Sequence, residues 1–145
     1  MRAIRLMLLS AAAASAAILS AAVSAQPKPA LDYGFYKNRV EPIFLAKKDG
    51  HTRCVVCHEE ANNNFRLEKL PPGATAWTEE QSRRNFAMIQ KLVNPGDPET
   101  SLLTQHPLAA EAGGDAFHSG GRQFQSKNDK DWNTLVAFIK GAKAP

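Results

Sequence analysis

Hydrophobic residues recur at helical spacing in three stretches of the chain, and no stretch shows the strict alternation that is typical of a half-buried strand. The first stretch runs from Asp32 to about Lys48, with apolar side chains at Tyr36, Val40, Ile43 and Phe44. Pro42 interrupts it, and because proline has no N–H to donate, we expect a kink or a fresh turn there. The pattern predicts a helical segment that is broken near its middle.

Two further helices are predicted by their end signals. Residues 78–81, Thr-Glu-Glu-Gln, have the form of a capping box that opens a helix to about Val93. The last helix starts near Asp129, and its apolar residues stand at i, i+3, i+4 and i+7, namely Trp132, Leu135, Val136 and Ile139. The Pro-Gly-Asp-Pro turn at 95–98 separates the two, with a short helical piece expected at 99–103. The predicted fold class is therefore mostly α.

The first residues have the composition of a secretory signal peptide. A basic start precedes an alanine-rich apolar stretch, Leu6 to Leu19, and Val23-Ser24-Ala25 is a suitable cleavage site. An uncleaved anchor is the competing interpretation, because the uncharged run from Leu6 to Pro27 is long enough to span a bilayer. Its alanines and serines make it weakly hydrophobic, which favours cleavage. We therefore predict three parts: a signal peptide (1–25), a short tether (26–31) and one domain (32–145).

Charge limits the class of partner. The signal segment holds two of the 18 basic residues and none of the 14 acidic ones, so the rest of the chain has a formal charge of only +2. This near-neutral balance argues against a nucleic-acid partner. We expect a periplasmic or otherwise exported protein that has no membrane contact once its signal is removed. The sequence carries no indication of its oligomeric state.

The only two cysteines lie in Cys54-Val55-Val56-Cys57-His58, the attachment pattern of a c-type haem. Two thiols at this spacing can add to the two vinyl groups of one porphyrin, and the histidine that follows can bind iron as the fifth ligand. Zinc is a weaker interpretation, because it needs about four ligands and adjacent Cys57 and His58 diverge. A thioredoxin-like pair needs a βαβ context, and a disulfide across so short a loop constrains little of the unfolded chain.

Residues along nearly the whole exported chain, from about Tyr33 to Gly141, resemble the small exported cytochromes c of the planctomycete-type family. They are Val40 to Phe44, the haem motif, Phe65-Arg66-Leu67, Val93 to Pro98, Ser101-Leu102-Leu103 and Phe138 to Gly141. This resemblance implies a class I cytochrome c-like helical domain wrapped around one covalent haem c. It also implies an N-terminal helix that crosses the C-terminal helix, a sixth iron ligand on a loop, and redox proteins of unspecified identity as partners.

The chain departs from that family at the sixth ligand. Family members supply a loop methionine before the last helix, whereas the only methionine here beyond the signal peptide is Met88. The corresponding loop holds His106 and His118 instead. We expect His118 to be the ligand, because it lies where the methionine would fall and glycine pairs on either side permit close approach to a porphyrin. His106 is the first alternative and Met88 the second.

The sequence therefore predicts an electron carrier rather than an enzyme. Cys54 and Cys57 form the thioethers, and His58 and His118 bind the iron. The apolar pocket is expected to include Phe44, Val56, Phe65, Leu67 and Phe117.

Two alternatives stay open. The first is a haem peroxidase or gas sensor with an open sixth site, in which His106 or His118 acts together with Arg122. The second is a haem subunit of a larger oxidoreductase, which an exposed apolar patch at the haem edge would favour.

Overall fold

The computed structural model describes residues 27–60, 62, 64–118 and 120–145. The predicted signal peptide and Gln26 lie outside the described residues. Within them are six α-helices: α1 (Tyr33–Phe35), α2 (Glu41–Leu45), α3 (Cys54–His58), α4 (Glu79–Ile89), α5 (Leu102–Gln105) and α6 (Lys130–Ile139). In this part of the chain β-structure is limited to one isolated bridge between Leu108 and Phe124. The prediction of a mostly α fold is confirmed.

The N-terminal helical segment is continuous but changes its winding before Pro42. Asp32 caps the start of helix α1, and its carboxylate accepts a hydrogen bond from the Phe35 N–H at 2.7 Å. A π-helical turn, Tyr36–Val40, then joins α1 to α2, and the Glu41 N–H donates to the Tyr36 carbonyl. Because Pro42 removes one donor from the helical ladder, a wide turn accommodates its ring. Helix α2 ends at Leu45, earlier than the predicted Lys48.

Helix α4 begins as its sequence predicts. The Thr78 hydroxyl accepts from the Gln81 N–H, and the Gln81 side chain accepts from the Thr78 N–H, which completes the capping box. The α-helix ends at Ile89, and a 3-10 turn, Gln90–Leu92, continues it almost to the predicted Val93. Such tightening of the last turn satisfies carbonyls that an α-helix leaves free.

Helix α6 supplies much of the core. The Asp129 carboxylate caps it by accepting from two backbone N–H groups. The predicted stripe is buried at Trp132, Leu135 and Ile139, whereas Val136 is only partly buried. Phe138 is buried too, and its ring lies 6.5 Å from that of Phe35 and 6.2 Å from that of Tyr36, centroid to centroid. The N-terminal segment therefore packs against α6.

The described part of the predicted short tether, residues 27–31, lies against the domain. Pro29 lies beside two glycines of positive φ, so close that a Cβ on Gly141 would come within 2.7 Å of the Pro29 Cβ. A Cβ on Gly96 would lie 3.1 Å from the proline ring. Lys28 Nζ also donates to the Asn94 side chain at 2.6 Å. No helix among the described residues has both the length and the apolar character needed to cross a bilayer.

Candidate functional site

Most of the candidate site residues identified from the sequence line one cavity. It has a volume of about 400 Å³, which lies within the usual range for small-molecule and cofactor pockets. Both cysteines and three of the four histidines, His58, His106 and His118, line it. The remaining wall is mainly apolar and comes from α2, α5, α6 and the loops between them, with Ile43, Phe44, Leu92, Leu103, Phe124 and Leu135.

Helix α3 places the motif's reactive side chains together. Residues three and four apart share one face of a helix, so Cys54, Cys57 and His58 all reach the cavity. Val55 points into the core and is 1% exposed, whereas Val56 is 45% exposed. Both cysteines are free thiols, and burial raises the pKa of Cys54 to about 11. The Cys54 thiol is therefore protonated near neutral pH.

The His58 ring is oriented by a backbone carbonyl. Its Nδ1 lies 2.8 Å from the Phe65 oxygen, and the Phe65 ring packs on it with centroids 4.2 Å apart. Because a carbonyl only accepts, Nδ1 carries the proton and Nε2 keeps a lone pair for a metal. Burial also lowers the pKa of His58, which favours the neutral form that binds iron.

His118 lies on the facing side with the same arrangement. Its Nδ1 is 2.5 Å from the Gly121 carbonyl oxygen, which leaves Nε2 as the free nitrogen. Its ring centroid is 6.2 Å from that of His58, and the two ring planes are 23° from parallel. Two metal–imidazole bonds of about 2.0–2.1 Å each span about 4 Å between nitrogens. Adding the two half-widths of the rings to that span gives a centroid separation of the observed size.

His106 is held by a side chain rather than by the backbone. Its Nδ1 lies 2.7 Å from the Asp115 carboxylate, and its ring is 5.1 Å from that of His118 at 83°. The imidazole is 49% exposed. Arg122 adds a hydrogen bond to the His106 carbonyl at 3.3 Å. The structure thus brings both candidate loop histidines to the cavity, with the His118 ring next to that of His58.

Only some of the expected pocket residues line the cavity. Phe44 and Phe65 line it, with ring centroids 5.5 Å apart, as the sequence predicts. Val56 does not line it, because it stands on the opposite face of α3 from Cys54 and His58. Phe117 is 74% exposed and does not line it either. Leu67 is buried, but it lines a different cavity.

Met88 is separated from the candidate iron site. It lies on α4 and lines a second cavity of about 420 Å³, together with Leu67 and the charged residues Glu59, Glu60, Arg66, Glu68 and Lys69. A thioether there does not face the cavity of His58 and His118. Met88 as second alternative ligand is therefore disfavoured by its position.

Some residues of the site carry no signal in the sequence. Asp115 is hydrogen-bonded to His106, which lies nine positions earlier in the chain. The sequence does not predict this contact, because it depends on the path of the loop between them. Leu92, Pro107 and Phe124 line the cavity from turns rather than from an amphipathic helix. By contrast, the helical stripe of α6 already marks Leu135 as buried.

The donor set is unlike that of a protein-only metal site. Within the described ranges, no group of three or more His, Cys, Asp or Glu side chains is placed to hold a metal ion. Two thiols and three imidazoles in the wall of one mainly apolar cavity are the donors with which these residues could hold a haem. Comparison of the chain with protein-family models, with curated proteins and with solved structures returns no match.

Proposed function

We propose that this chain is an exported, monohaem c-type cytochrome that carries single electrons. Cys54 and Cys57 would hold haem c through thioether bonds, and His58 and His118 would bind its iron. One observation carries the proposal: two thiols and two imidazoles line a single apolar cavity, with the rings of His58 and His118 6.2 Å apart.

The chain's own residues have distinct tasks in this proposal. When bound, a haem supplies an iron centre that alternates between the ferric and ferrous states. The Phe65 and Gly121 carbonyls fix the tautomer and the orientation of the two ligating imidazoles. The aromatic and aliphatic wall excludes water and lowers the local dielectric constant, which influences the reduction potential. None of these tasks requires a proton or a substrate to move.

The pair of histidines defines the kind of carrier. Methionine as axial ligand raises the reduction potential of a haem relative to histidine. Met88 lies at a different cavity, and the imidazoles of His58, His106 and His118 line this one. With His58 and His118 as its two ligands, the iron would have a lower reduction potential than with a methionine ligand. Residues 1–25, as a cleaved signal peptide, deliver the chain to the periplasm, where its redox partners are other proteins.

A second candidate function has one observation in its favour. The His106–Asp115 pair and the Arg122 side chain lie together on the His118 side of the cavity. An imidazole backed by a carboxylate is suited to general acid–base catalysis. In a haem protein with an open sixth site, this group would supply the acid–base chemistry that a peroxidase needs. Whether a histidine occupies the sixth position of the iron decides between the electron carrier and the peroxidase.

Mass spectrometry of the protein, produced in a host that attaches haem c, tests the covalent part of the proposal. We expect the intact mass to equal that of the chain cleaved after Ala25 plus one haem. Replacing both Cys54 and Cys57 by alanine should remove the haem from the denatured protein. Denatured wild-type chain free of haem absorbance would contradict the proposal.

A further inference from the structure

An ion-pair bridge joins the segment ahead of the haem motif to the start of α6. The Lys48 Nζ lies 3.1 Å from a carboxylate oxygen of Asp131 and 3.4 Å from one of Asp129. These three residues are here called the Lys48 bridge. Their side chains are only 22%, 23% and 30% exposed, in that order. Because solvent and salt screen partly buried charges less than exposed ones, the charges of the bridge act over a longer distance.

The Lys48 bridge touches the wall of the cavity that holds the thiols and imidazoles. The Lys48 Nζ lies over the ring of Phe124, 4.4 Å from its centroid. Phe124 is 2% exposed and lines that cavity, together with Cys54, Cys57 and His58. Lys48 itself does not line the cavity. Its ammonium group therefore adjoins the candidate haem site through one aromatic side chain.

The charges of the bridge are felt at a side chain of the cavity. Burial is the main cause of the raised pKa of the Cys54 thiol. The charge of Lys48 opposes that rise in pKa, whereas the charge of Asp131 adds to it. Opposite effects are what Coulomb's law requires of a cation and an anion that act on the same group. Any charged centre held in this cavity would experience both.

We infer that the Lys48 bridge sets the reduction potential of the haem, with the Lys48 ammonium raising it and the Asp131 carboxylate lowering it. This inference rests on the proposed function, because it requires iron in the cavity. Ferric iron carries one positive charge more than ferrous iron. A nearby cation therefore favours the reduced state, and a nearby anion favours the oxidised state. One ammonium and two carboxylates give the intact bridge a formal charge of −1.

Spectroelectrochemical titration of the haem-loaded protein at low ionic strength tests the inference. Lys48→Met leaves two unpaired carboxylates, so its reduction potential should shift below that of the wild type. Asp131→Asn removes one negative charge and should shift the potential upward. The double variant loses one charge of each sign and should return close to the wild-type value. Lys48→Arg keeps the positive charge and should keep the potential.

Lys127→Met is the matched control. Lys127 also pairs with a carboxylate, that of Glu99 at 2.6 Å, and its Nζ lies 5.7 Å from the centroid of the Trp132 ring. Neither Lys127 nor these two partners lines the cavity. This variant therefore removes a paired lysine beside an aromatic ring without changing the charge next to the cavity wall. Its potential should shift less than that of Lys48→Met.

Guanidinium denaturation of the same variants separates the charge of the bridge from its structural role. Lys48→Met and the double variant should both lose stability, because the bridge is broken in each, but only Lys48→Met should have a lowered potential. Three results with haem-loaded protein would overturn the inference: a wild-type potential in Lys48→Met, an equal shift in Lys127→Met, or a double variant shifted as far as Lys48→Met. A wild-type chain without haem would instead overturn the proposed function, and this inference with it.

Discussion

The imidazole rings of His58 and His118 lie 6.2 Å apart, centroid to centroid, with their planes 23° from parallel. Each ring has its Nδ1 on a backbone carbonyl, of Phe65 and Gly121 respectively. In both rings Nδ1 therefore carries the proton and Nε2 keeps a lone pair that could bind a metal. Sixty residues separate these histidines in the sequence, so the pairing is a product of the fold.

The position of Met88 predicts that its thioether has no part in iron binding. Met88→Leu conserves volume and should cost less than about 1.5 kcal/mol of stability. We expect the absorption spectrum and the reduction potential of the haem-loaded protein to stay at the wild-type values, because the side chain lines a different cavity. Loss of a low-spin spectrum in this variant would show that the thioether reaches the iron after all.

Lys37 and Glu41 form an ion pair that should be costly to break. Their Nζ and Oε1 atoms are 2.7 Å apart, and the Glu41 side chain is only 3% exposed. Removing one partner of a buried pair typically costs about 3–5 kcal/mol, because the other charge stays buried. We expect Lys37→Met to fall at the lower end of that range, since Lys37 keeps 28% exposure. Chemical denaturation measures the difference.

Two controls accompany the Lys37 variant. Lys69→Met breaks an exposed pair with Glu60 at 3.2 Å and should cost under about 1 kcal/mol. The double variant Lys37→Met/Glu41→Gln should regain much of the loss, because no unpaired charge remains. Equal costs for Lys37→Met and Lys69→Met would refute the burial argument.

Tyr36 predicts a loss of stability at alkaline pH. Burial, followed by the nearby charge of Glu41, raises the pKa of Tyr36 in the folded state. Burial also raises the pKa of Tyr33, to about 12. The unfolded chain releases these protons near pH 10, its ordinary tyrosine value. Stability is thus fully present below about pH 10 and is lost as the pH rises above it.

Tyr36→Phe isolates this contribution. The free energy of unfolding of the wild type should fall with increasing pH above about 10, and the variant should show a slope smaller by about 1.4 kcal/mol per pH unit. Guanidinium titrations at pH 7 to 11 measure both slopes. At pH 7 we expect little loss, because the hydroxyl is buried without a hydrogen-bond partner in the described structure. Parallel slopes would contradict this explanation.

The backbone around Gly114 leaves no room for a side chain. A Cβ at this position would lie 2.1 Å from the Leu108 carbonyl oxygen, which is backbone and cannot move freely. Gly114→Ala should therefore destabilise the protein by about 1–3 kcal/mol, as overpacking does. It should also displace Asp115, the partner of His106. Gly73→Ala gives a comparison of a different kind, because φ there is +76° and a Cβ meets nothing within 4 Å, so any cost comes from the left-handed backbone and not from a clash.

Local patterns in the sequence predict the helices well and the site only in part. The capping box at Thr78 and the stripe of α6 depend on residues within a few positions, so their structure follows from spacing. Other contacts depend on how the loop before α6 folds. They are the ring contact between His106 and His118 and the hydrogen bond between His106 and Asp115. The outward direction of Val56 follows from the start of α3 at Cys54, which the haem pattern itself does not specify. Pro42 signals an interruption, but the wide turn ahead of it appears only in the structure.

The axial ligand pair is tested most directly by absorption spectra, from the visible to the near infrared, of wild type, His118→Ala and His106→Ala in both oxidation states. We predict a six-coordinate, low-spin wild type without a methionine–iron charge-transfer band. His106→Ala should keep that spectrum, whereas His118→Ala should become high-spin and bind carbon monoxide. A His118→Ala protein that remains low-spin would contradict the assignment of His118 as the sixth ligand.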